Sequence, residues 1–463
     1  MLTLLLVSLL LVAFYTVAPT GTRLPLLLVG GLMVVTVAFT SVELTLYLLI
    51  LSTLLSPEIV LGGVTSEAAL VAGKVSVTAS RGVTLRLDDI LLGIICLTWL
   101  FRMAYYKELG SIRRTPLNQP IALYWLVAAF TTLAGFYVGR VGMYGFFFVL
   151  KYLEYFVLFY MIANHIQSPA EIRRYLIMLL VTCAVASLLG IAQIPSGERV
   201  SAPFEGAEGE PNTFGGYLVL MFSIVLGIFI YYREKIPRYW LFGLMGIILV
   251  PLAFTESRSS YLALLVAYLT FLLYSHQRRL LIVMTLVGGA LMPFVLPQNV
   301  VERISYTFTQ HQEAGQIKVG QLRIDTSTSE RLRAWENVLG KYFPQHPLLG
   351  VGVTGGPFLD AQYPRVLLES GMIGLLLFLW LLRRIWVLLR QCYNEIDDPL
   401  LKGAALGTLC GYAGLLVHAI GANTFIIVRI MEPLMIILGL LLAALLHQRD
   451  AGSDRTLQSG SSL

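Results

Sequence analysis

Apolar runs of roughly 15 to 22 residues recur along this chain from Leu2 to Leu446, each long enough to cross a bilayer as a helix. No other feature narrows the fold so far. With 57% hydrophobic and 13% charged residues and a mean hydropathy of +0.76, the 463 residues carry far more apolar surface than a soluble core uses. In hydrocarbon every backbone N–H and C=O needs an internal partner. Leu-rich runs without period-two alternation meet that need as helices rather than barrel strands. The fold class is therefore an all-α polytopic membrane protein. About fourteen spans are expected, near 2–18, 24–39, 42–56, 88–104, 121–138, 143–163, 174–194, 213–232, 238–254, 260–275, 279–296, 366–382, 403–420 and 433–447. The first run lacks a basic leader and is read as a retained span rather than a signal peptide.

On these spans the short loops split into two sets, with about seventeen Lys and Arg on one side and about five on the other. The rich set includes Arg113, Arg114, Arg173, Arg174, Arg278, Arg279, Arg383, Arg384 and Arg449. It is assigned to the cytoplasm, which puts both termini inside. Residues 57–87 carry Lys74, Arg81 and Arg86 on the opposite side, a long loop that counts for less. Within it, 75–88 alternates around Ser80-Arg81-Gly82 and is predicted to be a small hairpin.

The domains read as N-terminal spans (1–297), a large extracytoplasmic segment (298–365), C-terminal spans (366–449) and a disordered tail (450–463). So large a polar segment in a chain built for lipid is where chemistry is expected. Inside it, Ser327 to Glu330 reads as a capping box. The helix that follows places Leu332, Trp335, Val338, Leu339 and Phe343 on one face and ends at Pro344. A turn-rich His346-Pro-Leu-Leu-Gly-Val-Gly352 comes next.

Three clusters fall on the face opposite the basic loops. Pro203 to Asn212 is an acidic loop leading into a span, and Asn212 reads either as a helix-start residue or as a ligand-binding amide. Thr255 to Ser260 puts Arg258 among hydroxyls at a sharp corner. It is either an ion pair with Glu256 or an anion site, because a guanidinium pairs a phosphate bidentately and stays charged. Asp360 to Gly374 contains Asp360 and Arg365, expected outside the membrane, and Glu369, about one turn inside it. Plainer readings are a solvated Asp360 and a Glu369–Arg365 pair four residues apart. Arginines and a carboxylate converging at one headgroup level suit a phosphate-bearing lipid and a nucleophile that must lose a proton. There is no P-loop, no HExxH and no His/Cys cluster, so nucleotide hydrolysis and zinc chemistry have no support. The four cysteines, Cys96, Cys183, Cys392 and Cys410, read as packing residues. No metal, cofactor or nucleic-acid partner is expected.

In order, Pro211-Asn212-Thr213-Phe214, Thr255 to Arg258, Arg331 with Trp335, His346 to Gly352, and Glu369-x-Gly371-x-x-Gly374 resemble the O-antigen ligase and Wzy-type polymerase superfamily of bacterial envelope glycosyltransferases. The resemblance spans roughly 200–385. It implies an enzyme of the inner membrane that takes a glycan from undecaprenyl pyrophosphate on the outer, periplasmic face and joins it to an acceptor hydroxyl. Implied partners are that lipid-linked donor, a glycan acceptor, membrane lipid, and chain-length or export proteins. Carried over, Arg258 and Arg331 hold the diphosphate, and Asn212, His346, Arg365 and Glu369 contribute to binding. Asp360 stands where the ligases have the His of a His-Asn pair. With Asp360 as base, the resemblance leans to a polymerase of O-antigen or exopolysaccharide repeat units, with a ligase as the alternative. A lipid-linked sugar flippase is the rival of another class.

Overall fold

A computed structural model describes residues 41–56, 58–61, 83–105, 114–166, 168–204, 209–232, 234–295, 318–319, 322–323 and 326–460. These residues are overwhelmingly helical. In chain order the helices are α1 (Val42–Leu55), α2 (Leu87–Tyr105), α3 (Asn118–Tyr137), α4 (Met143–His165), α5 (Pro169–Gln193), α6 (Pro211–Tyr231), α7 (Lys235–Phe254), α8 (Arg258–Tyr274), α9 (Arg278–Val295), α10 (Thr326–Asn337), α11 (Gln362–Glu395), α12 (Pro399–Gly421) and α13 (Val428–Gly460). Eight of them, α3 to α7 and α11 to α13, are long and apolar enough to cross a membrane. The expected spans from residue 42 onward each fall on one of these helices. Those at 2–18 and 24–39 lie outside the described residues.

Helix starts follow local chemistry. Ser168, Ser257 and Asp398 accept hydrogen bonds from the backbone N–H groups of Glu171, Ser260, and Leu400 and Leu401, and proline opens α5, α6 and α12. The tightest helix pair is α6 with α12. A Cβ on Gly227 would lie 2.3 Å from the Gly403 carbonyl oxygen, and one on Gly407 2.4 Å from that of Ser223. The small residues at 403, 407 and 411 let the two backbones meet, as small-xxx-small stripes do between membrane helices. Around this pair Tyr155, Phe156, Tyr217, Phe378 and Phe425 join one continuous apolar core.

The loops collect at two ends. At the basic end Arg173 pairs with Asp398, Arg174 with Glu43 at 3.1 Å, and Arg449 with Glu395 at 2.7 Å. The Glu43 contact puts the start of α1 at that end, where span parity expects it. At the other end Arg199 donates to the carbonyls of Thr255 (3.0 Å) and Glu256 (3.2 Å), Arg429 to that of Pro203 (3.0 Å), and Asn423 to that of Leu359 (2.7 Å). All the candidate residues sit at this second end.

Several boundaries differ from expectation. Strand β2 (Val83–Arg86) pairs antiparallel with β1 (Glu58–Leu61); of the hairpin expected within 75–88, residues 75–82 lie outside the described residues. A second two-stranded pair joins β3 (Lys318–Val319) to β4 (Leu322–Arg323). Helix α10 begins at Thr326, so Ser327 falls inside the first turn rather than capping it. A π-helical turn follows at Val338–Tyr342. Its extra residue rotates the apolar face, leaving Leu339 exposed while Val338 is buried. Helix α11 starts at Gln362, so Arg365 lies in its first turn, buried, rather than outside. Helix α13 continues to Gly460 through the stretch read as a disordered tail, since extending a nucleated helix costs no further nucleation.

Candidate active site

Helix α11 is broken, and the break organises the site. At Gly371 the backbone turns to φ 65, ψ −166, a conformation essentially reserved for glycine. The carbonyls of Leu368 and Glu369 then accept from the N–H groups of Val351 and Gly352, both at 2.9 Å. Beyond the break, the N–H groups of Met372 and Ile373 donate to the carbonyls of Pro347 (2.9 Å) and Leu348 (3.2 Å). The His346 to Gly352 turn thus replaces the helix's own hydrogen bonds, which buried backbone groups require. The approach is close: a Cβ on Gly371 would lie 2.3 Å from the Leu348 carbonyl, and one on Gly350 2.5 Å from the Leu368 oxygen. A small apolar cluster of Val338, Val351, Leu359, Leu367 and Leu368 seals the turn against α10 and α11.

That docking sets Asp360 opposite Arg331, with a carboxylate oxygen 3.5 Å from a guanidinium nitrogen. Side-chain exposures of 44% and 21% leave the pair reachable by a ligand. Asp360 is braced from both sides: Asn423 holds the Leu359 carbonyl, and Gln362 accepts from the Phe425 N–H at 2.9 Å. The Arg331 guanidinium lies beside Gly421, 3.7 Å from where a Cβ would stand. Ser259 donates to the Gly421 carbonyl at 3.4 Å. Arg258 opens α8 immediately before that serine, and Ser257 before it donates to the Asn212 side-chain carbonyl at 2.7 Å. Asn212, Ser257, Arg258, Ser259, Arg331 and Asp360 therefore form one arc. The N-termini of α6 and α8 face it, adding the positive ends of two helix dipoles. Among the described residues no Glu256–Arg258 ion pair forms; the Glu256 backbone is instead held at φ 50 by Arg199.

Three expected site residues lie apart from this arc. Arg365 and Glu369 pair with each other at 2.9 Å, both nearly buried. Glu369 also accepts from the Tyr152 hydroxyl (3.4 Å) and the Thr354 N–H (3.5 Å), and Arg365 lies over the Phe358 ring. This pair clamps the turn to α11, and the plainer reading of these two residues is the one the geometry favours. His346 faces Arg140 from the α3–α4 turn. Partial burial, helped by the Arg140 charge, holds its imidazole below the ordinary histidine pKa.

Sequence reasoning missed His418, buried in α12 with its ring nitrogens on Ser260 (3.3 Å) and Thr424 (2.8 Å). It also missed the bracing groups Arg199, Asn423 and Gln362, and the fully buried Arg429 and Glu432 at the start of α13. The signal was available: ionisable residues within apolar spans are rare and usually face the bundle interior.

Residues 247–379 match the family model described as O-antigen ligase (Wzy_C), a segment that contains Arg258, Arg331, His346, Asp360, Arg365 and Glu369. No curated protein matches the chain. The match covers less than a third of the chain, and together with the spanning helices it supports a membrane enzyme of the O-antigen ligase or polymerase type.

Proposed function

We propose that this protein transfers a glycan from undecaprenyl pyrophosphate to an acceptor sugar hydroxyl, polymerising O-antigen or exopolysaccharide repeat units. The reaction takes place at the outer, periplasmic face of the bacterial inner membrane, with both termini in the cytoplasm. The observation that carries the reading is the reachable Arg331–Asp360 pair beside the Arg258 corner, where fixed positive charge and a carboxylate face the same space.

The acceptor oxygen attacks the anomeric carbon while the bond from that carbon to the diphosphate oxygen breaks, inverting the centre. Asp360 accepts the acceptor's hydroxyl proton, and Arg258 and Arg331 take up the charge growing on the leaving diphosphate. Diphosphate leaves well as an anion, so no general acid is called for. The Arg331–Asp360 contact fits an unliganded site: when a diphosphate engages the guanidinium, the carboxylate is released to act as a base. His346, Arg365 and Glu369 are assigned to holding the turn rather than to touching the donor.

The match to an O-antigen ligase family model favours a second reading, that of a ligase; such an enzyme would join finished glycan to lipid A core or protein by the same chemistry. Purified protein in lipid, given a defined undecaprenyl-pyrophosphate repeat unit, separates the two by product size. A ladder of lengths is expected, absent from Arg258→Ala and Arg331→Ala, with Asp360→Asn nearly inactive. Transfer only to an added lipid or protein acceptor would favour the ligase, and normal ladders in both arginine variants would overturn the site.

A further inference from the structure

Five polar side chains form a line through the apolar contact between α6, α8 and α12. Ser257 donates to Asn212 Oδ1 at 2.7 Å, and Ser260 donates to Ser257 at 2.8 Å. His418 Nε2 meets Ser260 at 3.3 Å and its Nδ1 meets Thr424 at 2.8 Å. Ser257, Ser260, His418 and Thr424 are all at most 1% exposed.

Each hydroxyl has one proton, so the line has one direction. Ser260 donates to Ser257 and can only accept from the imidazole, which places the ring hydrogen on Nε2. Nδ1 then accepts from the Thr424 hydroxyl. At the far end the Asn212 side-chain oxygen accepts a hydrogen bond from Ser257, so its amide nitrogen points away from the line. Asn212 is half-buried, and among the described residues that nitrogen has no hydrogen-bond partner. The two glycines after Thr213-Phe214 make room for the line. A Cβ on Gly215 would lie 2.2 Å from Ser260 Oγ, and one on Gly216 3.1 Å from His418 Cε1. Stability alone does not explain such a line, since apolar groups of the same shape in place of a buried hydrogen-bonded set are often neutral or better.

We infer that Asn212 presents its amide N–H groups to an oxygen of the donor's diphosphate, and that His418 is a positioning residue that fixes this orientation through Ser260 and Ser257. The inference rests on the reading of the arc as a diphosphate site. It explains why an asparagine stands beside Arg258: its donor face adds a directional hydrogen bond next to a charge that has little directional demand of its own. Thr424, next to Asn423, ties the same line to the loop that braces Asp360.

The test compares Asn212→Asp, His418→Leu and His418→Gln with the wild type, purified in lipid nanodiscs. Direct binding of undecaprenyl pyrophosphate is measured, with donor KM and kcat alongside. Asn212→Asp keeps the acceptor for Ser257 and removes the N–H groups. It is expected to weaken donor binding roughly ten- to a hundred-fold, the loss of one hydrogen bond to a charged group, with no fall in unfolding temperature. His418→Leu should weaken binding similarly. His418→Gln, which restores a donor towards Ser260, should recover much of it, a rescue that a space-filling role would not produce. Wild-type binding in Asn212→Asp, or failure of His418→Gln to improve on a folded His418→Leu, would overturn the inference. A wild-type protein that binds no undecaprenyl pyrophosphate would overturn the diphosphate reading itself, and the inference with it.

Discussion

Replacing Gly371 by alanine attacks the break in α11 directly. The new Cβ would sit 2.3 Å from the Leu348 carbonyl carbon and oxygen and 2.5 Å from the Leu349 nitrogen, all backbone atoms that no rotamer change can move. Holding an alanine at φ 65 and ψ −166 adds strain of about 1–3 kcal/mol before any overlap. The cheaper escape is for the His346 to Gly352 turn to leave the helix. That gives up four backbone hydrogen bonds, from Val351, Gly352, Met372 and Ile373. At about 1 kcal/mol net each these bonds favour the docked turn by about 4 kcal/mol, about a thousandfold, and the strain and backbone overlap in the variant must exceed that for the turn to leave. Asp360 loses its support when the turn leaves, so activity should fall with docking while the spans stay folded. Proteinase K digestion with mass mapping should find new cleavage between 343 and 361 in Gly371→Ala. The control is Gly340→Ala, where a Cβ has nothing within 4 Å. Equal protection and equal turnover in the two variants would refute this account of the break.

Other perturbations follow from the same geometry. Arg331→Lys keeps a charge but loses the planar fork; it should retain donor binding better than Arg331→Ala yet fall well below wild type in initial rate. Glu369→Gln weakens the clamp on Arg365 and Thr354 without touching the arc, so it should lower the unfolding temperature and leave donor KM nearly unchanged. Because His346 is held below its usual pKa in the folded protein, the unfolded chain binds its proton more readily. Stability should therefore decline as pH falls below about 6.5, and the decline should shrink in Arg140→Ala and vanish in His346→Gln, as read by unfolding temperature against pH. Gly407→Leu forces a side chain into the Ser223 carbonyl across the tightest helix contact and should prevent stable insertion, seen as loss of a monodisperse peak on size exclusion.

The spans were legible because their length and apolarity are set by the bilayer, not by their neighbours; α3, α4, α6 and α7 fall within a few residues of their expected bounds. Arg258, Arg331, Asp360 and Asn212 were legible as charges or amides at one membrane level. Their connection was not, because Ser259 and Arg331 meet at Gly421, a residue with no chemistry of its own in the sequence. The Glu369–Arg365 pair shows the opposite fault. Two residues four apart on a helix pair with each other locally, a plainer partner than the ligand the motif pattern suggested. The π-turn after Asn337 was invisible because a 3.6-residue period assumes an unbroken helix.

That the arc forms where it does follows from helix direction. Helices α6, α8, α11 and α13 all begin at the end opposite the basic loops, so the N–H groups of their first turns, which lack partners within the helix, point there together. The partners drawn to that end differ in kind. Ser257 caps α8 and so faces Asn212 of α6, while Arg429 at the start of α13 reaches back to the Pro203 carbonyl and holds the loop before α6. Helix α11 takes another course. Its first turn is buried, its acidic group is neutralised by Arg365, and its break sends Leu368 and Glu369 carbonyls to a neighbouring turn instead of onward along the helix. Asp360 is consequently the carboxylate of this segment that stays within reach of a ligand beside Arg331, while Glu369 is consumed in structure. The division of labour between two acidic residues nine positions apart thus comes from one glycine at 371, which decides which of them the helix can bury.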